Sequence, residues 1–211
     1  MINGINSREM ILEILLEIEE GEHSHVAIRN ALSKYQFLPK QDRAFITRVC
    51  EGTLEYRIQI DYIINSFSKV TVDKMKPAIR EILRSAVYQL KYMDSVPDSA
   101  VCNEAVKLAQ RKGFYNLKPF VNGVLRTIAR EMDQVRFPQK EDDLLKYLSV
   151  KYSMPEVLVT RWLEAYGEET TEKILADFLT EHPLTIRCRT YLNSKEEIVK
   201  SLESQGVHVA P

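Results

Sequence analysis

Apolar residues recur at intervals of three and four positions along most of the first 138 residues of this 211-residue chain. This spacing places them on one face of successive amphipathic helices. Because the intervening connections are short, the pattern predicts a compact helical bundle. Seven helices are predicted, with these inward-facing residues: Ile11, Leu12, Leu15, Leu16 and Ile18; Ala27, Ile28, Ala31 and Leu32; Phe45, Ile46, Val49 and Leu54; Ile60, Ile63, Ile64 and Phe67; Ile79, Ile82, Leu83, Ala86, Val87 and Leu90; Val101, Ala105, Leu108 and Ala109; Val121, Val124, Leu125 and Ile128.

Local signals set where several of these helices begin and end. Ser7 is a candidate cap for the first helix and Gly21 its stop, and the second helix is predicted over 24–35. Proline suits the first position of a helix, because that position needs no backbone N–H. Three further helix starts are accordingly predicted at or just after Pro39, Pro77 and Pro97.

The pattern changes after residue 138. Helical spacing continues within 141–179, whereas LTIRCR at 184–189 alternates apolar and polar residues as a strand does. Ser194 and Glu197 then form a capping-box pattern ahead of a helix that stops near Gly206, and VHVAP follows as a second strand. The chain is therefore predicted to be mainly α, with a helical domain at 1–138, a helical linker at 139–181 and the start of a small α/β module at 182–211.

Basic residues are concentrated near the end of the predicted bundle. Residues 107–136 contain seven Lys and Arg against two Asp and Glu, a local charge of +5. Over 1–138 the balance is 20 against 17, or +3, and over 139–211 it is 9 against 13, or −4. This asymmetry favours phosphate contact by the first part. On charge alone, however, a solvated helical face is the better interpretation, because basic runs are common on surfaces.

The residues expected to contact RNA lie at the start of the first helix and around the sixth and seventh. Guanidinium groups bind phosphates through paired hydrogen bonds and stack on splayed bases, whereas lysines act as point charges. Asn122 is open to two roles, either hydrogen-bonding RNA or tying two helices together. The full set is Arg8, Arg111, Lys112, Lys118, Asn122, Arg126 and Arg130.

Two motifs carry a resemblance to a known family. VPDSAVCNEAV at 96–106, followed by FVNGVLR at 120–126, resembles the NusB-like domain, an all-helical RNA-binding module. The likeness is to the form found at the N-terminus of the RsmB (Sun) ribosomal RNA cytosine-C5 methyltransferases. Segments at 7–15, 41–54 and 82–97 resemble the same family in the same order, so the resemblance covers most of residues 5–138. It implies small-subunit (16S) ribosomal RNA as the partner.

The continuation past residue 138 separates two branches of this superfamily. A stand-alone NusB antitermination factor would be expected to stop near there, whereas 152–169 and 182–211 resemble the segment that leads to the catalytic part of RsmB enzymes. The chain is thus expected to be the N-terminal portion of a larger cytoplasmic methyltransferase. Its catalytic domain, absent here, would be a partner in the same parent chain and would use S-adenosylmethionine; no membrane or DNA partner is expected.

No catalytic residue, cofactor or metal is expected in this chain itself. The closest two of its seven glycines are ten residues apart, so the glycine-rich turn of a doubly wound cofactor domain is absent. Cys50, Cys102 and Cys188 match neither the Thr-Cys-Pro nor the Pro-Cys type motif of the family's catalytic cysteines. Cys50 and Cys102 fall on apolar helical positions, which is typical of buried cysteines.

Three functions therefore remain open. The first, favoured by the continuation past residue 138, is RNA positioning for a ribosomal RNA methyltransferase. The second is a transcription antitermination factor that binds a short RNA together with a ribosomal protein. The third is a helical module that binds only protein, and binding that is insensitive to salt would identify it.

Overall fold

The computed structural model describes residues 6–180 and 185–209, and the chain divides into two compact units, Met1–Phe178 and Leu179–Pro211. Seven α-helices lie between residues 6 and 138, as the apolar spacing predicts. The helices of the described residues are α1 (Ser7–Glu19), α2 (Ser24–Lys34), α3 (Lys40–Glu55), α4 (Arg57–Phe67), α5 (Pro77–Tyr92), α6 (Asp98–Arg111), α7 (Lys118–Glu131), α8 (Leu144–Lys151), α9 (Glu156–Phe178) and α10 (Lys195–Ser204).

Helix starts agree with the prolines, with one correction at the first helix. Pro39 and Pro97 immediately precede α3 and α6, and Pro77 is the first residue of α5. The cap of α1 is Asn6 rather than Ser7, because the Asn6 side chain accepts hydrogen bonds from the backbone N–H groups of Arg8 and Glu9. Asparagine is as effective as serine at this position.

α5 is the central helix of the first unit. It packs against α1, α3, α4, α6 and α7, and its residues are buried almost continuously from Ile79 to Gln89. A smaller apolar cluster joins α8 to α9 around Leu148, Val159 and Leu175. Trp162 packs against that cluster and stacks on Phe178, so it acts as a packing anchor. α6 and α7, which carry most of the RNA-contact candidates, both pack against α5 and are thus held in place by the main core.

α8 and α9 belong to the first compact unit. The domain boundaries expected from the sequence, at residues 138 and 181, remain predictions. α9 contains a break at Gly167, whose φ of 73° is left-handed, so it consists of two helical halves. Glycine tolerates this conformation because it has no Cβ. None of the helices in the described part of the chain combines the length and apolar character needed to cross a bilayer.

The second unit confirms the predicted helix but not the two strands. α10 begins with the capping box, in which the Ser194 hydroxyl accepts from the Glu197 amide and the Glu197 carboxylate accepts from the Ser194 amide. Residues 185–189 and 207–209 form no strand in the part of the chain that the structure describes, while 184 and 210–211 lie outside it. A strand requires ladder hydrogen bonds to a neighbour. Alternating polarity alone does not provide that neighbour.

α4 and α8 cap each other's ends. The amide of Ile58, in the first turn of α4, donates to the Ser153 hydroxyl at 3.1 Å. In return, the Gln59 side-chain amide donates to the carbonyls of Val150 and Lys151 at 3.1 and 3.2 Å, in the last turn of α8. Helix ends carry unpaired backbone groups, and here the two ends satisfy one another. Ser153 itself has a φ of 52°, a conformation that usually favours glycine.

A buried ion network joins α4 to α5. Arg84 donates two hydrogen bonds to the Asp61 carboxylate, at 2.7 and 2.6 Å, and one to Glu81 at 2.5 Å. Glu81 is only 3% exposed. Its burial raises the pKa of the Glu81 carboxyl, although the charge and hydrogen bond of Arg84 oppose the shift. Arg84 is therefore the hydrogen-bonded partner of this buried charge, and Arg80 adds a longer contact, with its Nε 3.9 Å from Glu81 Oε1.

Replacing Arg84 with methionine should destabilise the protein by about 3 kcal/mol at pH 7, because Glu81 would remain buried with only the 3.9 Å contact to Arg80 among its described ion pairs. A carboxyl whose pKa is raised on folding contributes most to stability below its unfolded pKa, and that contribution is lost as pH rises through the folded pKa. Arg84→Met should thus be less destabilising at pH 5 than at pH 7 in urea unfolding. The Arg84→Met/Glu81→Gln variant should lose most of this pH dependence; an equal loss for Arg84→Met at both pH values would contradict the network's role.

Substitutions at Ser153 should distinguish the stability gained from its hydrogen bond to Ile58 from the stability lost through its left-handed backbone. Ser153→Ala removes the hydrogen bond to Ile58 and keeps the left-handed backbone, so it should cost about 1 kcal/mol. Ser153→Gly also removes the bond but relieves the backbone, and its cost should be smaller. Hydrogen exchange of the Ile58 amide should accelerate in both variants. Unchanged exchange there would show that the hydroxyl does not protect this amide.

Candidate nucleic-acid interface

The turn between α6 and α7 collects several of the predicted cations. α6 ends at Arg111, Lys112 follows as its C-terminal cap, and Gly113 takes a left-handed φ of 84°. A 3-10 turn over Tyr115–Leu117 then leads directly into α7 at Lys118. The sequence from Arg111 to Lys118 therefore lies at one end of this helix pair. We call residues 111–118 the α6–α7 turn.

Two cations of the α6–α7 turn are paired with carboxylates of α1. Lys112 Nζ lies 3.0 Å from Glu13 Oε1 and 3.5 Å from Glu9 Oε1, and Arg111 Nη1 lies 3.8 Å from Glu9 Oε2. Partial burial would lower the pKa of Lys112, but the hydrogen bonds and charges of Glu13 and Glu9 outweigh it, and the pKa lies above its ordinary value. Lys112 is therefore a firmly charged group that already has acidic partners.

Arg8 is held against the bundle. Its guanidinium carbon lies 5.3 Å from the centroid of the Phe45 ring, a cation–π arrangement, and its Nε is buried without a hydrogen bond among the described residues. Burial lowers the pKa of Arg8, and the charge of Glu104 partly opposes that shift. Arg8 is thus less available to a phosphate than its position near the chain's start suggests.

Asn122, Arg126 and Arg130 lie along α7. Arg126 is exposed, and its Nε donates to the Asn122 side-chain oxygen at 2.9 Å. This bond lies within α7, so it does not tie Asn122 to another helix. Arg130 is exposed and pairs with its neighbour Glu131 at 2.7 Å. The structure therefore gathers Arg111, Lys112 and Lys118 at the turn and spreads the other three along the adjoining helix.

An exposed aromatic ring in the α6–α7 turn was not among the residues singled out from the sequence. Tyr115 is 60% exposed, whereas its neighbour Phe114 packs against the core and carries the Lys76 ammonium 5.7 Å above its ring. An aromatic residue in a glycine-containing turn flanked by cations is a usable sequence signal for Tyr115. No sequence signal identifies Lys76, because it is distant from this turn in the sequence and approaches it only in the folded protein.

The cysteines and glycines offer no reactive or cofactor-binding arrangement among the described residues. Cys50 and Cys102 are buried, as predicted, and burial raises the pKa of both thiols. Gly113 lies in the α6–α7 turn and Gly167 at the break in α9, far apart in the sequence. A Cβ on Gly52 would collide with the ring of Tyr88. The described glycines therefore do not form the glycine-rich turn of a doubly wound cofactor domain. In the described ranges, no cluster of His, Cys, Asp and Glu could hold a metal ion.

Two family models match the chain. The NusB family matches residues 5–130, and the Methyltr_RsmF/B-like, ferredoxin-like domain matches residues 154–211. The first covers most of the helical bundle, including α6 and α7. The second covers α9, which lies in the predicted helical linker, and α10, which lies in the predicted start of a small α/β module at 182–211.

Curated relatives of two kinds are similar to the chain. Probable ribosomal RNA small subunit methyltransferase B of Bacillus subtilis is 32% identical over 96% of this chain, and that of a Synechocystis species is 31% identical over 94%. The chain spans 44% of the length of each. Transcription antitermination protein NusB of Dictyoglomus thermophilum is 33% identical over 61% of this chain and 85% of its own length.

Solved structures support the fold. The crystal structure of PH0851 matches 98% of this chain and 46% of that chain with a TM-score of 0.69 at 23% identity. NusB in a complex with NusE and double-stranded RNA matches 59% of this chain and 93% of that chain, with a TM-score of 0.54 at 21% identity. The family models and the curated relatives confirm the resemblance expected from the sequence motifs. The chain belongs to the NusB family, in the form in which a NusB-like domain is followed by a ferredoxin-like domain of the RsmF/B methyltransferase type.

Proposed function

We propose that this chain is the RNA-binding N-terminal region of an S-adenosylmethionine-dependent small-subunit ribosomal RNA cytosine-C5 methyltransferase. The observation that carries the proposal is the continuation of the NusB-like domain into a ferredoxin-like domain of the RsmF/B type. Methyltransferase relatives align over 96% and 94% of the chain, whereas the antitermination relative aligns over 61%. The antitermination alternative leaves residues after the bundle without a role, so we favour it less.

The role of this region is to bind and orient RNA. Arg111, Lys112 and Lys118 would contact phosphates from the α6–α7 turn, and Arg126 and Arg130 would extend the contact along α7. Tyr115 would stack on an unpaired base, because single-stranded RNA offers its base faces to exposed aromatic rings. Arg8 would act mainly through its packing on Phe45. Asn122 would orient Arg126 through their hydrogen bond.

Catalysis would belong to a domain of the same parent chain beyond these residues. S-adenosylmethionine supplies the methyl group in such enzymes, and the residues described here neither hold it nor take part in the transfer. The ferredoxin-like domain would connect the RNA-binding bundle to that catalytic domain, and a ribosomal RNA substrate implies a cytoplasmic location. A module that binds only protein is the remaining alternative, and salt dependence separates it from RNA binding.

Reversing two cations of the α6–α7 turn should weaken RNA binding. Arg111→Glu/Lys118→Glu is expected to reduce affinity for single-stranded 16S ribosomal RNA fragments by about tenfold or more in 100 mM salt. Each lost phosphate contact should also reduce the slope of log affinity against log salt by about 0.7. Fluorescence anisotropy over a salt series measures both quantities. Arg29→Glu/Lys34→Glu, which reverses two exposed cations on α2, is the matched control.

Two results would contradict this interface. Equal losses in the turn variant and the α2 control would mean that only net charge matters. Binding of the wild-type chain that does not change with salt, or no binding at low salt, would instead favour a protein-binding or scaffolding role. Arg126→Glu/Arg130→Glu then separates RNA contact on α7 from domain docking, because an RNA-contacting pair should change affinity without changing the free energy of unfolding.

Removing the exposed ring of Tyr115 should weaken binding without changing its salt dependence. Tyr115→Ala is expected to cost about tenfold in affinity for single-stranded RNA, since stacking of a base on an aromatic ring contributes roughly 1–3 kcal/mol. Tyr115→Trp should retain binding. Tyr166→Ala provides the control, because Tyr166 on α9 is similarly exposed at 57%. Equal affinities for Tyr115→Ala and wild type would show that Tyr115 does not stack on RNA.

A further inference from the structure

The α6–α7 turn carries acidic partners that compete with the ligand proposed for it. We propose that Glu9 and Glu13 of α1 are built-in competitors for RNA phosphates, which lower the affinity of Arg111 and Lys112 for any polyanion and thereby make RNA binding more selective. This inference rests on the proposed function, because it names residues that tune the same interface. It assigns a role to α1 that charge counting along 107–136 does not reveal.

The geometry fixes the two carboxylates beside the cations. Glu9 and Glu13 are one helical turn apart on α1, so both face the end of α6. Lys112 Nζ lies between them, at 3.5 and 3.0 Å, and Glu9 also approaches Arg111 at 3.8 Å. The α1 backbone cannot move away, because buried residues anchor its opposite face: Met10, Ile11, Leu12, Ile14 and Leu15.

The ion pairs are weak enough for a phosphate to displace. The side chains of Arg111 and Lys112 are 43% and 26% exposed, and those of Glu9 and Glu13 are 36% and 56% exposed. Ion pairs with this much solvent contact contribute little net free energy, because water and salt screen them. The C-terminal end of α6 adds its own negative potential to that of the carboxylates. A phosphate can therefore reach these cations, but only in exchange for existing favourable interactions.

This exchange affects purely electrostatic ligands most. When RNA phosphates bind Arg111 and Lys112, the carboxylates of Glu9 and Glu13 lose these partners and attract cations from solution. This cation uptake offsets part of the counterion release that drives RNA binding. Contacts that involve no carboxylate are spared. Arg126 holds only the neutral amide of Asn122, and Tyr115 is exposed. An RNA that offers a base to Tyr115 and a phosphate to Arg126 would be penalised less than a featureless polyanion.

The test compares wild type with Glu9→Gln/Glu13→Gln, which keeps side-chain size and removes two negative charges. The variant should bind single-stranded 16S ribosomal RNA fragments about fivefold more tightly at 50 mM salt and show a steeper salt slope, with the gain shrinking as salt rises. Its affinity for heparin, a polyanion without bases, should increase by a larger factor. Thermal unfolding should show that the fold is retained.

Glu17→Gln/Glu20→Gln is the matched control. It removes two exposed charges, Glu17 of α1 and Glu20 directly after that helix, and both residues lie outside the contacts with Arg111 and Lys112. Its gain should be well below that of Glu9→Gln/Glu13→Gln. An equal gain in both variants would overturn the inference, because only long-range charge would then be acting. Weaker binding by Glu9→Gln/Glu13→Gln would also overturn it, since the carboxylates would then position the cations for RNA.

Heparin separates failure of this inference from failure of the proposed function. In one outcome, neither wild type nor Glu9→Gln/Glu13→Gln binds RNA, but Glu9→Gln/Glu13→Gln needs more salt than Glu17→Gln/Glu20→Gln to elute from heparin. The competition by Glu9 and Glu13 then stands, and the proposed RNA-binding function fails. If wild type binds RNA while both the RNA affinity and the heparin elution of Glu9→Gln/Glu13→Gln match the control, the proposed function stands and the competition fails.

Discussion

The burial of α5 on nearly all sides is the constraint on which the rest of the structure depends. Five other helices pack around it, so any polar group that α5 carries must find its partner inside the protein. Arg84 meets that requirement by pairing with both Asp61 of α4 and Glu81. Gln89 donates to the Ser85 carbonyl within α5, whereas its side-chain oxygen is buried without a hydrogen bond among the described residues. The hydrogen bonds and ion pairs of α5 therefore help to fix where its neighbours lie.

This central packing also explains how a modest charge excess becomes a defined surface. α6 and α7 both pack against α5 and against each other, which holds the turn between them at the edge of the core. α1 packs against α5 and α6 as well, so its acidic face lies beside the basic end of α6. The electrostatic character of the turn is consequently set by three helices together.

The fold was more predictable from the sequence than the interface. Spacing such as Val121, Val124, Leu125 and Ile128 identifies a buried helical face, because periodicity is a local property of the chain. The pairing of Lys112 with Glu13 joins residues 99 positions apart and leaves no local signal. For the same reason, Arg8 could be assigned to α1 from its sequence, but its packing on Phe45 could not. Residues 185–189 and 207–209, where strands were predicted, form none in the part of the chain that the structure describes, because alternation specifies a face and supplies no partner.

The reciprocal caps of α4 and α8 have a consequence for the order of events during synthesis. Ile58 and Ser153 are 95 residues apart. At roughly 5–20 residues per second, a ribosome needs about 5–20 s to add the hydroxyl that the Ile58 amide requires. Until then, the first turn of α4 must hydrogen-bond water, and Gln59 lacks the carbonyls that it will later bind. The bundle therefore reaches its final form only after a segment outside the seven helices has been made.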